Sequence, residues 1–208
     1  MSGTIPGFID VILNFGSAQL DGDHLISQWK HHNFNLTMFG DDTWLKLFPN
    51  YFIRSDGTSS FFVSDFYEVD TNVTRHLEPE LESKDWDVKI LHYLGLDHIG
   101  HVIGPEAPQV GPKLAEMDEV IHYIKLNLLE KVENWKNGKP PLVIVLGDHG
   151  MADAGGHGGS SLSETLTPMV FLSPKSLNLA SERLLIKQYD LVPTLAWLTG
   201  GFLIYTEL

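Results

Sequence analysis

The sequence contains no cysteine and few basic residues: 14 Lys and Arg stand against 27 Asp and Glu, which gives a formal net charge of -13. Without cysteine the chain can form neither disulfides nor a thiolate metal site, so any metal ligands must come from His, Asp and Glu. The shortage of basic residues excludes a cationic surface for a phosphate backbone. We therefore expect no nucleic-acid partner, and a phosphate pocket would need metal ions to supply positive charge.

Long hydrophobic runs are also scarce. The longest uncharged stretch, Leu191 to Thr206, is short and is interrupted by a proline and two glycines. The amino terminus lacks the basic start and the small-residue cleavage site of a signal peptide. A hydrophobic fraction of 43% over 208 residues is typical of one globular domain. As given, the chain is expected to be soluble.

Short apolar runs alternate along the chain with segments of helical period, and no internal repeat interrupts them. This pattern predicts an α/β fold with a mostly parallel sheet flanked by helices. The predicted strands cover residues 33–39, 88–96, 141–146 and 168–172, and the predicted helices cover residues 23–31, a segment opened by Pro112, and 186–198. In the helix after Pro112, the predicted core face is made of Leu114, Met117, Ile121, Ile124 and Leu128.

The first polar cluster follows the apolar run at residues 88–96. Asp97 and His101 are four residues apart, so one helical turn would place a carboxylate and an imidazole on the same face. Taken alone, this spacing is weak evidence for a metal site, because a helix cap or a surface pair explains it equally well. The pair becomes a candidate only together with other ligands.

The second and third clusters follow the apolar run at residues 141–146. Asp148 and His149 lie between two glycines that allow a tight turn, and His157 lies among four glycines at positions 155, 156, 158 and 159. A loop so rich in glycine has a high folding entropy cost, which favours close approach to a ligand over a plain connection. With Asp97 and His101, these residues form a nitrogen and oxygen ligand set suited to zinc, with manganese as a competitor.

Three further residues are candidates for binding substrate. Asp41, Asp42 and Trp44 follow the predicted strand at residues 33–39, where they could line a pocket. A turn with an aspartate N-cap explains them almost as well.

Several of these motifs, in this order, resemble those of a known family. The segments LDHIGH (96–101), GDHGM (147–151) and GHGG (156–159) resemble the metal motifs of the alkaline phosphatase superfamily. Within that superfamily, GDDTW (40–44), LFP (47–49), DGTSSFFVSD (56–65) and EVDTNVTRH (68–76) look like the GPI ethanolamine phosphate transferases. The resemblance runs from IPGF (5–8) to about Thr199.

The resemblance implies roles for the ligand residues. Asp97, His101 and His157 would hold one zinc ion, and Asp148 and His149 would contribute to a second beside an upstream Asp and a nucleophilic Thr. That Asp and Thr are expected before Met1, and Thr4 lies downstream of the place where the Thr belongs. We therefore assign no catalytic nucleophile to this chain. The fold implied is alkaline-phosphatase-like without its N-terminal strand.

The resemblance also implies a reaction. Phosphoethanolamine would move from phosphatidylethanolamine to a mannose, the second, of the GPI glycolipid precursor by a two-zinc mechanism. The expected location is the lumenal face of the endoplasmic reticulum membrane, with a stabilising membrane subunit. Two N-glycosylation sequons, at Asn35 and Asn72, favour a lumenal setting only slightly, because about one such triplet is expected by chance in a chain of this size.

Residues 1–199 are predicted to form a partial alkaline-phosphatase-like catalytic domain, and residues 200–208 a divergent tail. This tail does not continue the family pattern, so we expect a fragment of a longer enzyme. We expect it to be inactive alone, because the segment with the nucleophilic Thr is missing. Two alternatives stay open at this point. One is a metal-dependent phosphodiesterase or phosphatase of the same superfamily, and the other is a non-catalytic truncated product.

Overall fold

The computed structural model describes residues 1, 19–20, 22–175 and 184–200. Three strands form the larger sheet: β1 (Leu36–Asp41), β2 (Phe52–Thr58) and β3 (Val88–Leu91). They run parallel in the spatial order β2, β1, β3, so β1 is the central strand. Its first five residues are buried, which fits a strand covered by helices on both faces.

The helices of the described part are short, and the longest has 15 residues. In chain order they are α1 (Leu25–His31), α2 (Thr43–Leu47), α3 (Glu68–Thr74), α4 (Leu77–Glu82), α5 (Gly95–Ile103), α6 (Val110–Ile124), α7 (Leu162–Thr165) and α8 (Leu191–Thr199). A π-helical turn, Lys125–Leu129, continues α6, and short 3₁₀ turns cover Val132–Asn134, Lys136–Gly138 and Gln188–Asp190. Among the described helices, none combines the length and the apolar content needed to cross a bilayer.

Alternate residues of β3 face two separate hydrophobic clusters. Val88 and Ile90 pack against the cluster built around α1, β1 and α8, which contains Leu25, Ile26, Trp29, Leu36, Phe48, Val192 and Ala196. Leu91 packs against the cluster built around α4 and α6, which contains Leu77, Leu81, Val120, Ile124 and Leu128. Because side chains alternate across a strand, the two clusters lie on opposite faces. The predicted helix-flanked parallel sheet is therefore confirmed.

The strand predicted at residues 141–146 lies in a second sheet. β4 (Val143–Leu146) pairs antiparallel with β5 (Met169–Leu172), and within the described residues neither strand bonds to the three-stranded sheet. A short apolar run is compatible with either kind of pairing, so the sequence pattern could not separate them.

Two local predictions are wrong. The strand expected to reach residue 96 ends at Leu91, and α5 begins at Gly95, before Asp97. On α6, Leu114 is 51% exposed, whereas the neighbouring Lys113 is buried. An ion pair with Asp70 turns Lys113 inward.

Residues 2–18 and 201–208 lie outside the described part. Thr4 and all of the predicted tail except Gly200 belong to these residues.

Candidate metal centre

Two segments bring the predicted ligands together. Helix α5 presents Asp97 and His101, and the loop between β4 and α7 presents His149 and His157. One ligand atom each from Asp97, His149 and His157 can be chosen so that all lie within 4.8 Å of one another. These residues are separated by as many as 60 positions in sequence, so the fold itself creates the cluster.

The distances around Asp97 fit shared coordination better than hydrogen bonding. Nε2 of His157 lies 3.6 Å from Oδ1 of Asp97, and Nε2 of His101 lies 3.4 Å from Oδ2. Two ligands about 2.0–2.1 Å from a tetrahedral ion are roughly 3.3 Å apart. Oδ1 of Asp97 is buried and has no hydrogen-bond partner, which is costly for a carboxylate oxygen. The residues present therefore fit a metal ion, which would satisfy that oxygen.

The imidazole rings crowd around the same point. The rings of His149 and His157 stack with centroids 3.6 Å apart, and those of His101 and His157 are 4.9 Å apart. Burial, together with the neighbouring His149, lowers the pKa of His157. A lowered pKa keeps the ring neutral, with a lone pair available for a metal.

Asp148 lies at the edge of this cluster. Its side chain is 61% exposed, and its Oδ2 lies 3.6 Å from Nε2 of His149 and 4.0 Å from Nε2 of His92. The structure thus brings all five predicted ligands into one neighbourhood, but the tightest group joins His149 to Asp97 and His157. The division of these residues between two ions stays a prediction.

His92 links the candidate metal centre to Trp44. The indole Nε1 of Trp44 donates a hydrogen bond of 3.1 Å to Nδ1 of His92. In the neutral ring Nε2 then carries the proton, and it faces the Asp148 carboxylate. His92 was not singled out in the sequence analysis. Its position directly after β3 was the only signal available.

Glycines allow the loop to dock on α5. A Cβ at Gly100 would lie 2.0 Å from Sδ of Met151, so a larger residue at this position would force the Met151 side chain to move. Gly155 has a φ of +82°, and a Cβ there would lie 2.9 Å from the carbonyl oxygen of Gly100. Both a left-handed backbone and a close approach therefore require glycine at position 155.

Helix α7 holds the two sides of the loop. The N–H groups of Gly150 and Met151 donate to the carbonyl oxygens of Glu164 and Ser163, at 2.7 and 3.0 Å. The carboxylate of Glu164 accepts a further hydrogen bond of 2.7 Å from the N–H of Gly159. His149 and His157 are thus anchored from the same short helix.

The three candidate substrate residues make mainly local contacts. Oδ1 of Asp41 accepts from the N–H of Thr43 at 2.9 Å, and Asp42 forms an ion pair of 2.8 Å with Lys46. Trp44 alone of the three has a described contact that leads to the metal centre, through His92. Their role in substrate binding stays a prediction.

Comparison with known proteins shows which family the chain is similar to. Residues 23–175 match the model of the family described as type I phosphodiesterase / nucleotide pyrophosphatase. The chain is 50% identical to the catalytic subunit of GPI ethanolamine phosphate transferase 2 of Homo sapiens over 83% of this chain and 17% of that protein. It is 46% identical to GPI ethanolamine phosphate transferase 2 of Aspergillus oryzae over 96% of this chain and 25% of that protein.

A third relative, GPI ethanolamine phosphate transferase 2 of Eremothecium gossypii, is 54% identical over 83% of this chain and 21% of that protein. The predicted resemblance to the GPI ethanolamine phosphate transferases is therefore confirmed. The chain spans at most a quarter of the length of these three curated relatives.

Proposed function

This chain belongs to the type I phosphodiesterase / nucleotide pyrophosphatase family, and from that premise we propose that it is the metal-holding part of a phosphoethanolamine transferase of GPI-anchor biosynthesis. The proposed reaction moves phosphoethanolamine from phosphatidylethanolamine to a mannose, the second, of the GPI precursor. The convergence of Asp97, His149 and His157 on one point is the observation that supports it most strongly. The proposed catalytic unit comprises residues 1–199.

The ligand residues define what this part of the enzyme does. Asp97, His101 and His157 would hold one zinc ion, or manganese in its place, and Asp148 and His149 would contribute to a second. When bound, such ions act as Lewis acids on the phosphoryl oxygens and on the attacking hydroxyl. The Asp97 carboxylate supplies negative charge, and His157 supplies a neutral nitrogen. We assign no nucleophile among the described residues.

The proposed setting follows from the substrates. Both are membrane lipids, so the enzyme would work at the lumenal face of the endoplasmic reticulum membrane, together with a stabilising membrane subunit. The names of the relatives support the two lipid substrates. The net charge of -13 argues against a nucleic-acid partner.

A hydrolase is the second candidate, because the matching family model describes phosphodiesterases and pyrophosphatases. In that case water would take the phosphoryl group in place of a sugar hydroxyl. The metal ligands would be the same, so the products distinguish the two reactions.

A chimeric enzyme tests the proposal. In the Aspergillus oryzae relative, the segment that aligns with 96% of this chain is replaced by residues 1–199. The resulting chimera is expressed in cells that lack the endogenous transferase. We expect GPI precursors that carry phosphoethanolamine on the second mannose, and we expect Asp97→Asn and His157→Gln to abolish that product.

The exposed Asp118→Asn on α6 is the matched control, and it should retain activity. Release of free phosphoethanolamine without transfer to the glycan would favour the hydrolase. Undiminished transfer by the Asp97→Asn chimera would refute the proposed ligand set.

A further inference from the structure

A buried ion pair lies against the start of the helix that carries Asp97 and His101. Asp70 of α3 is fully buried, and Lys113 of α6 is 2% exposed. Nζ of Lys113 donates to Oδ2 of Asp70 at 2.9 Å and also meets Glu116 at 2.8 Å. Replacing a buried ion pair by apolar residues of similar volume is often neutral or stabilising. The presence of this pair therefore points to a role other than stability.

The other oxygen of Asp70 holds the beginning of α5. Oδ1 accepts hydrogen bonds from the N–H groups of Leu94 at 3.0 Å and Gly95 at 2.9 Å. Amides at a helix start have no partner within the helix, and the N-cap residue of α5 makes no side-chain cap. Asp70 thus caps α5 from another helix, where a negative charge also suits the helix dipole. Asp97 follows Gly95 by two residues, in the first turn.

Gly95 brings this contact close. A Cβ at position 95 would lie 2.2 Å from Oδ2 of Asp70 and 2.7 Å from the carbonyl oxygen of Phe66. One turn further along, Nδ1 of His98 donates to the carbonyl oxygen of Asp65 at 2.7 Å. The first turns of α5 are therefore fixed to α3 and to the loop that precedes it.

Lys113 keeps Asp70 in this orientation. Burial lowers the pKa of Lys113, but the hydrogen bonds to Glu116 and Asp70 outweigh it and leave the pKa raised. Lys113 is therefore charged at neutral pH. Its ammonium group donates to Oδ2, which leaves Oδ1 to accept from the N–H groups of Leu94 and Gly95.

We propose that Asp70, oriented by Lys113, is a positioning residue for the metal centre. By fixing the start of α5, it aims Asp97 and His101 at His149 and His157. This inference rests on the proposed metal centre. Groups that hold the ligands of a metal from outside typically change its affinity by about 10–100-fold when they are removed.

The test is a titration of the chain with Co²⁺, followed by the visible ligand-field absorption of the bound ion. Asp70→Asn removes the charge but keeps one acceptor oxygen, and Gly95→Ala displaces the helix start without changing any charge. The matched control is Glu80→Gln on α4, which breaks another buried ion pair. Glu80 binds Lys89 of β3, with side chains 9% and 6% exposed. Circular dichroism confirms that each variant is folded.

We expect Asp70→Asn and Gly95→Ala each to weaken Co²⁺ binding by about 10–100-fold and to change the absorption band. Glu80→Gln should lower the melting temperature yet leave Co²⁺ affinity unchanged. Wild-type affinity in both Asp70→Asn and Gly95→Ala, or an equal loss in Glu80→Gln, overturns the positioning role alone. Failure of the wild-type chain to bind Co²⁺ overturns the proposed metal centre, and the inference with it. Gly95→Ala carries the test if Asp70→Asn does not fold.

Discussion

Single residues show how the fold tolerates polar groups in its interior. Oδ1 of Asp97 is buried without a hydrogen-bond partner, whereas Asp70, which is fully buried, has partners on both oxygens. A buried polar atom without a partner costs free energy that the fold must offset elsewhere. The contrast between these two aspartates indicates that Oδ1 of Asp97 is available to a ligand from outside the protein. Asp70 instead binds groups of the protein itself.

The buried His24 should make stability depend on pH. Its Nδ1 accepts a hydrogen bond of 3.0 Å from the N–H of Ser27, and burial lowers its pKa, although the nearby Asp23 opposes the shift. As the pH falls through about 6.5, the unfolded chain binds the proton first. The free energy of unfolding should therefore decrease between about pH 7.5 and 5.5, as measured by urea denaturation.

His24→Asn keeps a side chain that can cap α1, and it should flatten this part of the pH profile. The exposed His31→Gln is the control and should leave the profile as it is. An identical pH dependence in wild type and His24→Asn would contradict the assignment.

The sequon at Asn72 should carry no glycan in the folded protein. Asn72 is 9% exposed, and its amide nitrogen donates to Oδ2 of Asp56 at 3.1 Å. A glycan on that nitrogen would leave only one N–H to donate and would need space that the interior lacks. Peptide mass mapping of protein directed into the endoplasmic reticulum, after enzymatic deglycosylation, should find Asn72 without deamidation. Deamidation at that position would show that the segment is accessible and that the described burial is wrong.

At the scale of the elements, the close pairing of β1 with β3 depends on Gly40. Its φ is +138°, and a Cβ there would lie 2.2 Å from the backbone carbonyl oxygen of His92. Gly40→Ala should therefore destabilise the protein by at least about 2 kcal/mol, because backbone strain and overpacking add. Chemical denaturation measures the loss.

Gly138→Ala provides the matched control for this loss. Gly138 also has a positive φ, of +67°, but a Cβ there meets nothing within 4 Å. The free energy of unfolding of Gly138→Ala should fall only by the cost of backbone strain, about 1 kcal/mol. Equal losses in the two variants would mean that the contact with His92 does not restrict position 40.

The elements also show what the sequence could predict. The candidate ligands could be proposed from the sequence. Asp97 and His101 follow an apolar run at helical spacing, and Asp148, His149 and His157 lie in glycine-rich segments. The proposed roles of Asp70 and Lys113 could not be predicted from the sequence. Each is an ordinary charged residue in a helical segment, and their meeting depends on packing between α3 and α6. The antiparallel pairing of β4 with β5 was missed for the same reason, since pairing is a long-range property.

At the scale of the whole molecule, the two hydrophobic clusters hold the parallel sheet, and the candidate metal centre lies where α5 meets the loop after β4. The chain carries a net charge of -13, so a phosphorylated substrate would be repelled in the absence of cations. Ions held by Asp97 and the histidines would reverse the local charge. Metal binding is thus the property on which the proposed function depends.

The most direct test is the metal content of the purified chain, determined by elemental analysis. Wild type is compared with Asp97→Ala, His157→Ala and Asp148→Ala, and with the exposed Asp118→Ala and His122→Ala as controls on α6. We predict about one zinc ion per chain, because Asp97, His101 and His157 supply three ligands whereas only two residues are assigned to the second ion. The ion should be lost in Asp97→Ala and His157→Ala and retained in Asp148→Ala and in both controls. Folded wild-type protein without bound metal, or full retention of metal in Asp97→Ala, would contradict the account.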